Sequence, residues 1–253
     1  MGITIKNQQQ LEGIRKAGRI VAEVHNTIGE RIQPGMTTRA VELIAKNIVL
    51  ARGGKSATLG YGGQPNPYPG FVCVSVNDEV VHGIASDRFL FDGDIVSVDI
   101  VVELNGYFAD ATMSYAIGTI SQRDEELMEG TKLALSAGIA AAVEGNRVQD
   151  ISEAVSKVAK QFGLGVVRDL VGHGVGLKMH EDPQIPNYVS RGPSPRLRNG
   201  MVIAIEPMLT TGSWRVETAN DGWTVKTFDG SNAAHFEHTV AINPGGPQIM
   251  TRL

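Results

Sequence analysis

The segment DIVSVDIVVELNGYFADAT, residues 94–112, limits most strongly how this chain can fold. Asn105-Gly106 predicts a two-residue hairpin turn of type I′, which needs positive φ at both central residues. Leu104 then stands opposite Tyr107, and Val101 opposite Asp110. Side chains alternate along a strand, so Asp99, Val101 and Glu103 share a face with Asp110. The two aspartates are diagonal cross-strand neighbours, roughly 7 Å apart at the backbone. A carboxylate in an apolar strand is costly to bury, and two at this range repel. They share a proton, hold a cation between them, or one lies exposed at a sheet edge. The hairpin alone leaves the three options open.

The rest of the chain reads as a pattern used twice. Residues 8–31 carry Leu11, Ile14, Val21, Val24 and Ile28 on one helical face. Pro34-Gly35 breaks the pattern, and Thr37 or Thr38 opens a second helix that runs to about Arg52. In the second part, 123–144 reads helical and Gly145 breaks it. Asp150 with Glu153 resembles a capping pair for a helix to about Phe162. Short motifs repeat in the same order. VVHGI (80–84) parallels VGHGV (171–175), and DGDIVSVD (92–99) parallels NGMVIAIE (199–206). In each of the latter, a carboxylate follows the glycine of the turn by six residues, and a further carboxylate returns later, Asp110 or Glu237. The expectation is one domain, 1–253, with an internal repeat of about 8–120 and 121–250. It would form two α+β halves facing each other across a shared site.

Composition narrows the function. A net charge of −4 and no basic tract weigh against nucleic acid as a direct partner. The single cysteine, Cys73, forms no intrachain disulfide and fits a reducing compartment. The segment MGITIKNQQQ has no apolar signal stretch, and Lys6 stands where a myristoylation signal wants Ser or Thr. No run approaches 18 apolar residues, so no membrane span is expected. The expectation is a cytoplasmic protein.

The chemistry-bearing residues are Asp99, Asp110, Glu206, Glu237, His173 and His82. Four carboxylates with imidazole suit hard or borderline divalent cations, while one cysteine cannot build a thiolate site. Read singly, most have ordinary explanations: Glu206 at an exposed strand end, Glu237 on a solvated strand face, His173 as a satisfied turn histidine. The GHGVG run lacks the G-x-G-x-x-G pattern of a dinucleotide loop, and there is no P-loop or G-x-S-x-G. GYGGQPNPYPGF (60–71) reads either as a shaped pocket wall or as a long connection.

Taken in order, SVNDEVVHGI, DGDIVSVD, the Asp110 strand, GHGVG followed by HEDP, IEPM, DGWTVKT and FEHT resemble the type I methionine aminopeptidases of bacteria, within the pita-bread metallopeptidases. The resemblance runs from about residue 8 to the C-terminus. It implies an α+β pita-bread fold: two pseudo-symmetric halves with a central antiparallel sheet covered by helices. It implies two divalent ions, of Mn, Fe(II), Co or Zn. Asp99 would hold one through both oxygens, Asp110 and Glu237 would bridge the pair, and His173 and Glu206 would complete the other. His82, His180 and Glu206 would act on the scissile bond. Tyr61, Tyr68, Cys73, His82, Met208 and Trp223 would shape the methionine pocket, with His180 also meeting the substrate.

The implied substrate is the N-terminal Met of nascent polypeptides when the second residue is small. A monomer is expected, and ribosome association suits such an enzyme although no motif here carries it. Three features depart from the common bacterial pattern: QPNP lengthens the loop between Tyr61 and Cys73, Met179 precedes His180 where an aromatic is frequent, and His235 stands where Gln is common. All three bear on pocket shape. The rival readings are a Xaa-Pro aminopeptidase or prolidase, and a binding module of the same fold without catalysis.

Overall fold

The computed structural model describes residues 2–253. Four long helices and a set of antiparallel strands alternate along the chain. Helices α1 (Gln8–Arg31) and α2 (Thr38–Ala51) come first. Strands β1 (Lys55–Ser56), β2 (Cys73–Val76), β3 (Glu79–Val81), β4 (Ile95–Leu104) and β5 (Tyr107–Ala116) follow. Then come α3 (Gln122–Ala141) and α4 (Val148–Gln161), and the strands β6 (Gly165–Val166), β7 (Gly172–Gly174), β8 (Glu181–Ile185), β9 (Val202–Ile205) and β10 (Met208–Thr210). The last strands are β11 (Val216–Thr218), β12 (Val225–Thr227), β13 (Ala233–His235), β14 (His238–Asn243) and β15 (Gly246–Ile249).

The helix ends follow local chemistry. At α1, Asn7 Oδ1 accepts from the Gln10 amide, and Gln10 Oε1 accepts from the Asn7 amide, a reciprocal capping box. At α2 the cap is Thr37, whose hydroxyl accepts from the Ala40 amide. At α4 the expected Asp150–Glu153 pair is not the cap. The cap residue is Arg147, and Asp150 lies inside the first turn, where its carboxylate accepts from the Arg147 amide at 2.6 Å. An arginine side chain has no acceptor to offer, so only the sequence position three ahead of Asp150 pointed to this start.

The hairpin has the register its turn dictates. Leu104 pairs with Tyr107 and Val101 with Asp110 across β4 and β5, and Asn105 and Gly106 have φ of 52° and 83°. The β4–β5 hairpin joins β1 and β2 in one ladder, and β15-β14-β9-β7-β8 form another. Two three-stranded ladders, β13-β10-β6 and β11-β12-β3, lie beside them. The glycines before β4 and β9, Gly93 and Gly200, both have φ in the left-handed region, 96° and 84°.

Alternation then divides each strand between a helix-facing and a site-facing set. Val96, Val98, Ile100 and Val102 of β4, with Ala109 and Ala111 of β5, pack with α1 and α2 in one buried cluster. Ile203 and Ile205 of β9, with Val240 and Ile242 of β14, pack with α3 and α4 in another. Glu206-Pro207 marks where the chain leaves the five-stranded ladder as β9 and enters a three-stranded one as β10. Proline has no N–H for a ladder, which suits this crossing.

The two main ladders meet along β5 and the 235–239 segment without a continuous backbone ladder. Side chains join them at alternate residues. The Asp110 amide donates to Thr239 Oγ1, and that hydroxyl donates back to the Asp110 carbonyl. The Glu237 amide donates to the Thr112 carbonyl, and Thr112 Oγ1 donates to Glu237 Oε2. Ser114 Oγ both accepts from the His235 amide and donates to its carbonyl. Thr239→Val should leave the Asp110 backbone unpaired on both sides and lower stability by roughly 1–3 kcal/mol. Urea denaturation of the two proteins would measure it, with an unchanged midpoint counting against this role.

Candidate metal centre and substrate cavity

All the residues singled out in the sequence line a single cavity of about 710 Å³. Its polar part is drawn from both main ladders. Asp99 comes from β4 and Asp110 from β5, Glu206 follows β9, His173 is in β7, and Glu237 lies between β13 and β14. One oxygen each from Asp110 and Glu237 and one nitrogen of His173 lie within 4.8 Å of one another. His173 Nε2 is 3.7 Å from Asp110 Oδ2 and 3.5 Å from Glu206 Oε1. Asp99 lies against Asp110, Thr112 and Cys73.

Burial is the first cause acting on every one of these groups. It pushes Asp99 up to about 6. It lifts Asp110, Glu206 and Glu237 well above the usual carboxylate range, and their mutual repulsion lifts them further. Asp99 Oδ1, Asp110 Oδ1 and Glu237 Oε1 are buried and without a hydrogen-bond partner among the described residues. Such orphaned carboxylate oxygens are what a divalent cation would satisfy.

The imidazole is set up in the same sense. His173 Nδ1 lies 2.9 Å from the Gly174 carbonyl, which fixes the proton on Nδ1 and leaves the Nε2 lone pair facing the carboxyls. Burial, helped by His180, depresses His173 to about 4, so the ring is neutral at physiological pH.

The apolar part of the cavity is aromatic. Trp223 meets Tyr68 edge-on at 5.4 Å between ring centroids, and lies 6.4 Å from Tyr61 and 6.5 Å from His82. The QPNP loop holds Trp223 directly: the indole Nε1–H donates to the Asn66 carbonyl, and Asn66 Nδ2 donates to that of Asp221. The long connection is therefore a wall of the cavity. Tyr68 O–H donates to the Gly83 carbonyl at 2.7 Å. Gly83 has no room for a side chain, since a Cβ there would fall 2.4 Å from the Val74 carbonyl oxygen. His82, just before it, has φ of 59°, an uncommon conformation for a non-glycine residue, stored beside the cavity.

His180 stands with its ring centroid 4.3 Å from that of His173, and its Nδ1 is 2.9 Å from the Tyr61 hydroxyl. Its loop is held by a contact that the sequence reading missed. Lys6 Nζ lies 2.8 Å from Glu181 Oε2, with both side chains buried. Glu181 Oε1 accepts from the Leu177 and Lys178 amides. Burial acts upward on Glu181, but the Lys6 ammonium and these amides outweigh it and hold its carboxyl below the ordinary value. A lysine and a glutamate 175 positions apart carry no pairing signal in sequence. Thr112 and Asn187 were missed as well: Thr112 holds Glu237, and Asn187 Nδ2 donates to the Glu206 carbonyl at 2.9 Å.

The fold and the site are those of a metallohydrolase with an aromatic-walled cavity. The model of metallopeptidase family M24 matches residues 12–244, and the chain belongs to that family. It is 46% identical over 250 residues to a methionine aminopeptidase of Clostridium acetobutylicum, with 98% of each chain covered. It is 45% identical to methionine aminopeptidase 1 of Bacillus subtilis, over 99% of this chain and 100% of that one. The structure of methionine aminopeptidase from Thermotoga maritima superposes with a TM-score of 0.95 at 42% identity, with both chains fully covered. The pita-bread fold is thereby established. The prolidase of Pyrococcus furiosus shares the fold at a TM-score of 0.76 and 23% identity, but this chain spans only 65% of its length.

Lys6→Met would strip Glu181 of its buried partner. It should lower stability by roughly 3–5 kcal/mol, read by urea denaturation. Because Glu181 is depressed, its contribution is present above its ordinary value of 4.5 and is lost as pH falls through the folded value. Glu181→Gln should therefore flatten that part of the acid limb of stability against pH. An acid limb of wild-type slope would overturn the assignment.

Proposed function

We infer that the chain is a bacterial type I methionine aminopeptidase, a hydrolase that removes an N-terminal Met when the second residue is small. The observation that carries it is the joining, in one cavity, of the Asp110–His173–Glu237 group with a wall of Tyr61, Tyr68, Cys73, His82, Met208 and Trp223. Aromatic edges and a buried thiol make a polarisable surface suited to a thioether.

The reading takes two ions, of Mn, Fe(II), Co or Zn, as the cofactor. Asp110 and Glu237 would bridge them, Asp99 would hold one, and His173 and Glu206 would complete the other. The unpartnered oxygens of Asp99, Asp110 and Glu237 support this set. When bound, such ions make water acidic enough to attack at neutral pH and polarise the carbonyl.

The protein's own groups supply the rest. With Tyr61 O–H donating to Nδ1, His180 carries its proton on Nε2 and offers it to the scissile carbonyl oxygen as charge develops there. Glu206 would take a proton from the attacking water and pass it to the leaving amine. His82 would lie beside the nitrogen of the scissile bond. A free α-amine placed among the carboxylates accounts for action at chain ends only.

The reading further takes the chain as one catalytic domain of two related halves, about 8–120 and 121–250, acting as a cytoplasmic monomer on nascent polypeptides at the ribosome. Support for the halves comes from the repeated order of helix pair, glycine turn and carboxylate-ended strand. The free, buried Cys73 accords with a reducing compartment. Among the described residues, no helix is long and apolar enough to cross a membrane.

The test is hydrolysis of Met-Gly-Met-Met by metal-stripped protein with Mn(II) or Co(II) restored. Free Met should appear only with the ion and be lost in Asp110→Asn. His180→Ala should keep the ion and lose roughly 10²–10³ in kcat. No release with any ion from folded protein would overturn the reading and favour a binding module, and cleavage of Xaa-Pro peptides in preference would favour a prolidase.

A further inference from the structure

His235 lies in the cavity beside the carboxyl cluster without being one of the five proposed donors. It sits in β13 opposite Met208 of β10. Ser114 Oγ holds its amide and its carbonyl, each at 2.9 Å, so the backbone is pinned and only the ring can turn. The residue is 2% exposed, and neither Nδ1 nor Nε2 has a partner among the described residues. A buried imidazole with both nitrogens unpaired is costly, so a partner is to be sought in the working site.

The two oxygens of Glu206 point to one. Oε1 lies 3.5 Å from His173 Nε2, and Oε2 lies 3.8 Å from His235 Nε2. If His173 and Glu206 serve the same ion, Oε1 is the oxygen beside it and Oε2 is left over. A carboxylate that gives one oxygen to a cation keeps its orientation when the other accepts a hydrogen bond. His173 Nε2 faces two carboxyls, Asp110 and Glu206, whereas His235 Nε2 approaches only Glu206. That distribution separates a donor to the ion from a donor to its ligand.

We propose that His235 is a positioning residue for Glu206, its Nε2–H donating to Oε2 and turning Oε1 toward the ion shared with His173. A ring rotation that shortens 3.8 Å to a charge-assisted hydrogen bond of about 2.8 Å completes the contact. The amide of a glutamine reaches about as far from the backbone as Nε2 and could donate in the same way. That of an asparagine ends near the reach of Nδ1 and falls short.

The proposal rests on the aminopeptidase reading for what Glu206 does in turnover, but metal binding tests it separately. His235→Gln, His235→Asn and His235→Leu are compared with wild type, their folding verified by circular dichroism and thermal unfolding. Mn(II) and Co(II) affinities of the stripped proteins are measured by calorimetry, with kcat and KM on Met-Gly-Met-Met. His235→Gln should stay close to wild type. His235→Asn should lose roughly 10–100-fold in affinity for one ion and more in kcat than in KM, and His235→Leu should do the same. The Gln–Asn comparison keeps a polar amide at the position, so it decides even if the Leu variant fails to fold. Equal affinity and kcat in Asn and Gln would overturn the proposal and leave the ring as packing. Loss of a nitrogen ligand from the Co(II) absorption spectrum in His235→Gln would overturn it in favour of direct ligation. Stoichiometric binding by wild type with no release of Met would sink the aminopeptidase reading, while the affinities would still decide the role of His235.

Discussion

Four carboxyl groups crowded into buried space is the constraint on which the rest of this molecule depends. Burial raises each of them, and repulsion adds to it at Asp110, Glu206 and Glu237. A fold could relieve that by letting the strands part. Here the strands are prevented from parting. Asp110, Thr112 and Ser114 of the strand that presents Asp110 are tied at alternate residues to Thr239, Glu237 and His235. The apolar clusters under α1–α2 and α3–α4 hold each ladder from behind. Repulsion that cannot be released by movement is left to be relieved by protonation or by a cation.

The substrate side of the cavity rests on a different kind of rigidity. The aromatic wall is secured by backbone carbonyls: Asn66 for Trp223 and Gly83 for Tyr68. The His180 loop is secured by an ion pair from the other end of the chain, Lys6 to Glu181. Polar ties therefore fix both the aromatic wall and the His180 loop. The QPNP loop acts on the aromatic wall through the Asn66 hydrogen bonds to the Trp223 segment.

The parts legible in the sequence were those whose cause is local. Asn105-Gly106 dictated a register, and the register placed Asp99 and Asp110 on one face. The helix at 8–31 followed from its apolar stripe, whereas its Asn7 cap was found only in the structure. The five candidate donors and the candidate pocket residues, which the structure brings into one cavity, came from motifs in fixed order, a family resemblance outside what spacing alone can deliver. What was not legible depends on contacts between distant residues. Neither Lys6 with Glu181 nor Thr112 with Glu237 leaves a trace in periodicity, and the start of α4 at Arg147 has no capping side chain to announce it. His235 is a departure visible in the sequence, yet its two unpaired nitrogens beside Glu206 exist only in three dimensions.

The order in which the donors occur along the chain has a consequence for synthesis. Asp99 and Asp110 emerge in the first half, whereas Glu206 and Glu237 come from the last quarter, and Glu237 is also what Thr112 grips from across the ladder junction. A growing chain that ends before residue 237 therefore displays an aspartate pair without Glu237 and without the Thr112 and Thr239 contacts that close the seam. The fold and the metal centre are completed by the same late segment, so the protein has no stage at which the scaffold is finished and the site is not.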